Sequence, residues 1–295
     1  MLSLEQLAGL WESHREVAAA KIKEFAIGGQ RFAFNSQPAI MGVVNLSADS
    51  WYRESVCLST EAAVQRGLTL AAQGAQIIDV GAESTLAHAA RADATLQNSR
   101  LIPAIRELRA ANILVSVETY SPAVTRASLE AGANILNLTG TEASDEIFRM
   151  VAAQDAAVII CHVAGSNVRD VGRYDLSADP IPMLREFFVR QIDLAQRHGV
   201  EKIFIDPGLG FYYRNLQDSA VRVQHQMRVF LNTFRLRELG FPVCHALPHA
   251  FEYFQEEVRC AEPFFAVLAA LGKTDLFRTH EVRRIKAVLD TLGIF

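Results

Sequence analysis

The sequence predicts an α/β protein, a (β/α)8 TIM barrel preceded by an N-terminal helical extension. Three observations predict it. From Pro38 onward, short apolar runs alternate with longer amphipathic segments, and the alternation repeats eight times. Cap residues and glycines punctuate the joints. Almost every apolar run ends on a polar or charged residue, which is where a parallel barrel gathers its ligand chemistry. A doubly wound open sheet is the competing architecture, disfavoured because no Gly-rich G-x-G-x-x-G opens a first helix.

Residues 1–35 read as the extension. Leu4, Leu7, Leu10, Trp11 and Val17 recur at helical spacing, with Glu5, Glu12, Arg15 and Glu16 between them. The apolar face is expected to cover the main domain or a second subunit. Residues 27–34 read as a turn and a short strand. Residues 36–295 form the barrel. Its strands are expected at 39–44, 76–80, 113–117, 134–138, 157–161, 202–205, 241–245 and 275–277. Its helices are expected at 60–73, 99–110, 122–131, 144–153, 181–199, 217–239, 262–271 and 280–292. Ser59 and Ser121 suit N-caps, and Pro122 suits a first helical turn. Gly74, Gly132, Gly199, Gly240 and Gly272 sit where helices should stop.

With 295 residues, half of them hydrophobic, the chain has enough apolar surface for a large core. A barrel of roughly 250 residues absorbs nearly all of it as one domain. A net charge of −4 and the lack of a basic stripe argue against nucleic acid as a partner. No apolar run reaches the ~18 residues needed to cross a bilayer, and the N-terminus lacks a secretory pattern, so a cytoplasmic location is expected. Cys57, Cys161, Cys244 and Cys260 form no C-x-x-C pair and are expected to be reduced and structural. No His/Cys cluster has metal-ligand spacing, so no intrinsic Zn²⁺ site is expected.

The most informative strand end is Asp206-Pro-Gly-Leu-Gly-Phe211. Pro207 stops the strand, and Gly208 and Gly210 allow a tight turn or a close approach to a ligand. An acceptor-only carboxylate is thereby held at the mouth; capping of the next helix is the bland alternative. The other ends carry Asn45, Asp79, Glu118, Asn137, His162, His245 and Arg278. His162 is expected to be a structural hydrogen-bonding residue below the site.

These stretches resemble the dihydropteroate synthase family of pterin-binding barrels, from about residue 40 to 292. Met41-Gly-Val-Val-Asn-Leu-Ser-Ala-Asp-Ser50 is similar to its first signature and Ile77-Ile-Asp-Val-Gly-Ala-Glu-Ser-Thr85 to its second. Glu118-Thr-Tyr120, Ile135-Leu-Asn137, Asp206 with its Gly-rich turn and Arg278-Thr-His-Glu281 follow in the family's order. The resemblance implies a transferase. It couples 6-hydroxymethyl-7,8-dihydropterin diphosphate to p-aminobenzoate or a related arylamine, releasing diphosphate, in folate or related pterin biosynthesis. It implies pterin contacts from Glu118, Asn137, Asp206 and His249. It implies catalytic roles for Asn45, Arg278 and His280, Thr85 supporting the second loop, and Mg²⁺ held by Asn45 through the substrate diphosphate. No tightly bound organic cofactor is implied, and a homodimer is the family habit.

The sequence departs from the family at Leu86, Pro248 and His249, where the family has Arg, Arg and Lys, and at Ala48, where it has Pro. The lost cations motivate an alternative, a non-catalytic pterin-binding paralogue. Methyl transfer from a reduced folate is a third option, which the first signature argues against.

Overall fold

The computed structural model describes residues 2–50, 52–84, 89–174, 176, 179–211, 213 and 215–294. Helices α1 (Leu4–Ser13) and α2 (Arg15–Ala18) lead into a hairpin, β1 (Phe25–Ile27) and β2 (Gln30–Phe32). Eight parallel strands follow: β3 (Ala39–Asn45), β4 (Ile77–Gly81), β5 (Leu114–Thr119), β6 (Ile135–Leu138), β7 (Ala157–Cys161), β8 (Ile203–Asp206), β9 (Cys244–Ala246) and β10 (Leu276–Thr279). They run in the order β8-β7-β6-β5-β4-β3-β10-β9, and a parallel bridge from Ile205 to Val243 closes the ring. Between them lie α3 (Thr60–Ala72), α4 (Ala94–Ala110), α5 (Pro122–Glu130), α6 (Ser144–Ala153), α7 (Ile181–Arg197) and α8 (Ser219–Asn232). The short α9 (Phe251–Phe254) and α10 (Ala261–Leu271) separate β9 from β10, and α11 (Val282–Leu292) ends the fold. The expected barrel is present.

The strands read as continuous apolar runs because both faces are buried. Alternate residues point to opposite sides. Ile78, Val80, Val115, Val117, Leu136, Val158, Ile160 and Ile203 face outward and share one core with Leu70, Leu101, Phe148, Phe188 and Phe265 of the helices. Met41, Ile77, Leu114, Ile135, Ile159, Phe204 and Leu276 face inward at the lower end. That inner core includes Ile22, Phe25, Ile27, Phe32 and Phe34, so the hairpin closes the bottom of the barrel. Gly28 and Gly29 take positive φ at its turn, as a two-residue hairpin requires. α1 makes the looser contact: Leu7 and Leu10 pack against the outer core, whereas Leu4 and Trp11 are 84% and 46% exposed.

Several punctuation marks act as expected. Ser121 Oγ accepts from the Val124 N–H, and Pro122 opens α5. Ser59 Oγ accepts from the Ala62 N–H at 3.1 Å. Replacing Ser59 by Ala is expected to destabilise the protein by ~1 kcal/mol, read as a lower urea midpoint at unchanged slope.

Other expectations are corrected. Helix α4 starts at Ala94, not 99, because Asp93 caps it, accepting from the Leu96 N–H at 2.8 Å. The segment expected as one helix over 217–239 breaks after Asn232 into a 3₁₀ stretch, Thr233–Leu239. There Thr233 Oγ1 bonds back to the Val229 carbonyl and meets His245 Nε2 at 2.7 Å. Gly272 does stand at the C-cap of α10 as expected, but with φ −80° rather than a left-handed φ. It is needed because a Cβ there would lie 1.8 Å from the Phe230 carbonyl oxygen.

Candidate active site

Above the inner apolar layer, the inward positions turn polar. Register links Asn45 to Gly81, Gly81 to Glu118 and Glu118 to Asn137 around one side of the ring. Cys161 and Asp206 are paired on the next two strands. Arg278 rises from β10 between Met41 and Ala246. The strand period of two thus aims a cation, an amide and several carboxylates at one axis.

At the floor lies Asp79, fully buried. Its carboxylate accepts from Ser116 Oγ at 2.6 Å, Asn137 Nδ2 at 3.2 Å and Arg278 Nε at 2.7 Å. Arg278 Nη2 donates to Glu118 Oε2 at 2.5 Å. Burial opposes the guanidinium's charge, but Asp79 and Glu118 hold its pKa above the ordinary value. Asn137 Oδ1 accepts from Cys161 Sγ at 3.2 Å, so the amide is oriented at both ends. Burial raises Glu118 to about 7, Arg278 opposing and Asp79, Asp206 and Glu83 adding to the rise. Burial also raises Asp206 to about 6, against the Gly208 N–H, which donates to Asp206 Oδ1 at 2.7 Å. Gly208 has φ 74°, and a Cβ there would lie 2.1 Å from the His162 carbonyl oxygen, so the turn under Asp206 requires glycine.

A cavity opens above this floor, enclosing about 1120 Å³ of space including its mouth. Asn45, Glu118, Asn137, Asp206, His249, Arg278 and His280 all line it. Seven of the eight candidate residues therefore converge; Thr85 lies outside the described residues, as does Leu86. Asn45 Nδ2 donates to Ser55 Oγ at 2.6 Å. On the far wall His280 Nδ1 lies 2.8 Å and His249 Nε2 2.9 Å from Glu262 Oε1. Tyr52 stacks on His280 with ring centroids 4.5 Å apart and donates its phenol to Glu281.

The sequence marks Asp79 as a polar strand end without a role of its own, and singles out no role for Glu262, Tyr52, Tyr120 or Glu83. Asp79 and Glu262 are charges inside apolar segments, Ile77–Gly81 and Ala261–Leu271, and that misfit was the available signal. Tyr52 carries no pattern that marks it; Tyr120 and Glu83 lie within the quoted signature stretches, but nothing in the sequence pairs them, as the structure does at 2.8 Å. His162 was expected below the site as a hydrogen-bonding residue. Its ring instead packs edge-on against Tyr174 and Phe187, and burial lowers its pKa to about 4. His245 faces outward and is fully buried, and burial lowers its pKa to about 3. Cys57, Cys161 and Cys244 are buried free thiols, and Cys161 also lines the cavity. No His/Cys run has metal-ligand spacing in the sequence, but in space His249, Glu262 and His280 meet with ligand atoms within 4.8 Å of one another. They are far apart in the chain, so no spacing rule finds them.

The fold and this polar floor define a class. Residues 41–246 match the family described as pterin binding enzyme, and the chain belongs to that family. Within it, the chain is similar to proteins named dihydropteroate synthase. The one from Mycobacterium leprae is 34% identical over 266 residues, 86% of this chain and 92% of its own. The Xanthomonas albilineans structure with 4-aminobenzoic acid superposes with a TM-score of 0.77 at 28% identity, covering 93% of this chain and 98% of that one. The same organism's enzyme in complex with 7,8-dihydropteroate gives 0.71 at 27% identity, covering 92% and 97%.

Proposed function

We propose that this chain is a dihydropteroate synthase-type transferase. It couples 6-hydroxymethyl-7,8-dihydropterin diphosphate to p-aminobenzoate or a related arylamine and releases diphosphate. The observation that carries the reading is the meeting of Asp206, Asn137 and Glu118 at the floor of one cavity in a chain of the pterin-binding family. The pterin and aminobenzoate ligands of the Xanthomonas relatives support it.

A pterin edge presents an amino group and a ring N–H side by side. The Asp206 carboxylate, buried at the cavity floor, accepts both, a charge-assisted contact. Asn137, already fixed by Asp79 and Cys161, offers its remaining N–H and lone pair to the neighbouring mixed edge. Glu118 adds a second acceptor. The amine nitrogen then attacks the exocyclic methylene carbon. The C–O bond to diphosphate breaks, the electron pair leaves with the diphosphate, and the new C–N nitrogen loses a proton. Arg278 and His280 sit where they can face the charge that builds on the leaving group. Among the described residues Arg278 Nη1 makes no hydrogen bond, leaving donors for an anion.

Mg²⁺ fits the donor set. Asn45 spends its N–H₂ on Ser55, which leaves its carbonyl oxygen, a hard ligand, for the ion. When bound, Mg²⁺ neutralises diphosphate charge. The same reading includes a homodimer, a cytoplasmic location, a catalytic unit of residues 36–295 and a non-catalytic extension of residues 1–35.

The pH dependence follows from Asp206, whose pKa in the free protein is about 6. The ligand needs the carboxylate, so a proton must leave first when the pH is below that value. Affinity for dihydropterin is expected to level off only above about pH 8, once Glu118 at about 7 has also lost its proton, and to fall by at least about tenfold per unit below about 6 as Asp206 is protonated. Calorimetric titrations from pH 5 to 8 read this directly, and an affinity that rises on acidification contradicts it. The reaction itself is tested by diphosphate release. Release should require both the pterin diphosphate and an arylamine; none with p-aminobenzoate or a larger arylamine overturns the reading.

A further inference from the structure

The cavity is short of free positive charge. Among the described residues lining it, the permanently charged cations are Arg222 and Arg278. Arg222 is paired with Glu252, and Arg278 with both Asp79 and Glu118. Pro248 and His249 stand on the wall, and neither carries a permanent charge. Yet a carboxyl stands behind the two histidines of that wall: Glu262, fully buried. His249 Nε2 and His280 Nδ1 lie 2.9 and 2.8 Å from one of its carboxylate oxygens.

We propose that His249, Glu262 and His280 form a two-histidine, one-carboxylate site for a divalent transition-metal ion. Imidazole nitrogens and a carboxylate oxygen suit Zn²⁺, Co²⁺ or Fe²⁺, not the harder Mg²⁺. The ligand atoms already converge within 4.8 Å. Around an ion with bonds of about 2.0–2.2 Å, tetrahedral ligands stand about 3.3 Å apart. The present separations of 2.8 and 2.9 Å to Glu262 Oε1 therefore open by roughly half an ångström. Each imidazole carries its N–H on the other ring nitrogen, and lone pairs replace the two hydrogen bonds.

The supporting contacts that orient metal ligands are in place. Glu262 Oε2 accepts from the Thr279 hydroxyl, from the His280 N–H at 3.1 Å and from the Glu281 N–H at 3.3 Å. Tyr52 fixes the His280 ring by stacking. His249 and His280 line the cavity, which gives the ion an entry path. Three protein ligands leave a coordination position for water or an anionic oxygen. On the proposed function, which this role rests on, that oxygen belongs to the diphosphate, and the ion restores the charge that Pro248 and His249 do not supply.

The test is calorimetry of the metal-free full chain with Zn²⁺, and Co²⁺ absorption in the visible. One equivalent is expected to bind, with a four-coordinate Co²⁺ spectrum. His249→Ala and Glu262→Gln should each weaken Zn²⁺ by more than the roughly 10–100-fold that a supporting contact is worth. Asn45→Ala should leave Zn²⁺ binding unchanged. Glu262→Gln leaves buried donors short of an anion, so His249→Ala, on a loop, carries the test where the former does not fold. No Zn²⁺ binding, or binding that His249→Ala leaves unchanged, overturns the proposal. Dihydropterin titrated into the metal-free protein reports on the pterin reading separately, since the pterin contacts do not include the ion.

Discussion

Replacing Arg278 by Met is expected to destabilise the fold by about 3–5 kcal/mol, because it leaves buried carboxylates without their cation. Asp79 is fully buried and the Glu118 side chain is only 13% exposed. Asp79 keeps Ser116 and Asn137 as donors, but neutral donors do not offset a full charge at the bottom of the site. Glu118 has a way out: its pKa is already about 7 with Arg278 present, and without that cation it rises further. The penalty should therefore shrink as the pH falls and the orphaned carboxyls take up protons. The sign follows from linkage. A carboxyl whose folded pKa is raised is tolerated in its protonated form and costs stability as the pH climbs through that pKa. Urea unfolding of the variant at pH 8 and pH 5.5 measures both effects. A loss under about 1 kcal/mol at pH 8 means that Arg278 is not the counter-charge of the floor.

The second large effect is on binding. Asp206→Asn keeps the oxygen that accepts the Gly208 N–H but turns an N–H₂ toward the cavity, where the pterin also presents N–H groups. Loss of the charge-assisted contact is worth about 1.5–3 kcal/mol, or about 10–150-fold in Kd. Unfolding stability should hold or rise, because burial already disfavours the charged Asp206. Fluorescence or calorimetric titration of dihydropterin separates these readouts. A Kd within twofold of the parent shows that the carboxylate does not receive the pterin edge.

Much of the architecture was legible because the signals were local. The strands are continuous Val/Ile/Leu runs that only a doubly covered parallel sheet produces, and Ser59, Ser121 and Pro122 mark helix starts by chemistry alone. The hairpin's role was not legible. Phe25, Phe32 and Phe34 look like any short amphipathic segment until the barrel supplies a hole for them. Nor was α9, whose flanking Ala250 and Gln255 take positive φ without glycine.

At the site, sequence order exposed the residues at strand tips and hid those one layer down. Asp206, Asn137 and Glu118 stand beside turn signals. Asp79 stands two residues before the end of its strand, and its place as the acceptor shared by Asn137 and Arg278 shows only once β4, β6 and β10 are side by side. Glu262 sits on a helix, and its partners His249 and His280 come from two different loops. Their meeting is a property of the closed ring, in which β9 and β10 are neighbours. The cations missing at Leu86, Pro248 and His249 were plain in the sequence. The carboxylate beneath His249 was not.

The most direct measurement is a crystal structure of the protein with 7,8-dihydropterin. The pterin should lie in the cavity with its amino and ring N–H groups within hydrogen-bonding distance of the Asp206 carboxylate and with Asn137 beside it. A pterin seated elsewhere, or in that cavity with its N–H edge turned from Asp206, contradicts the account.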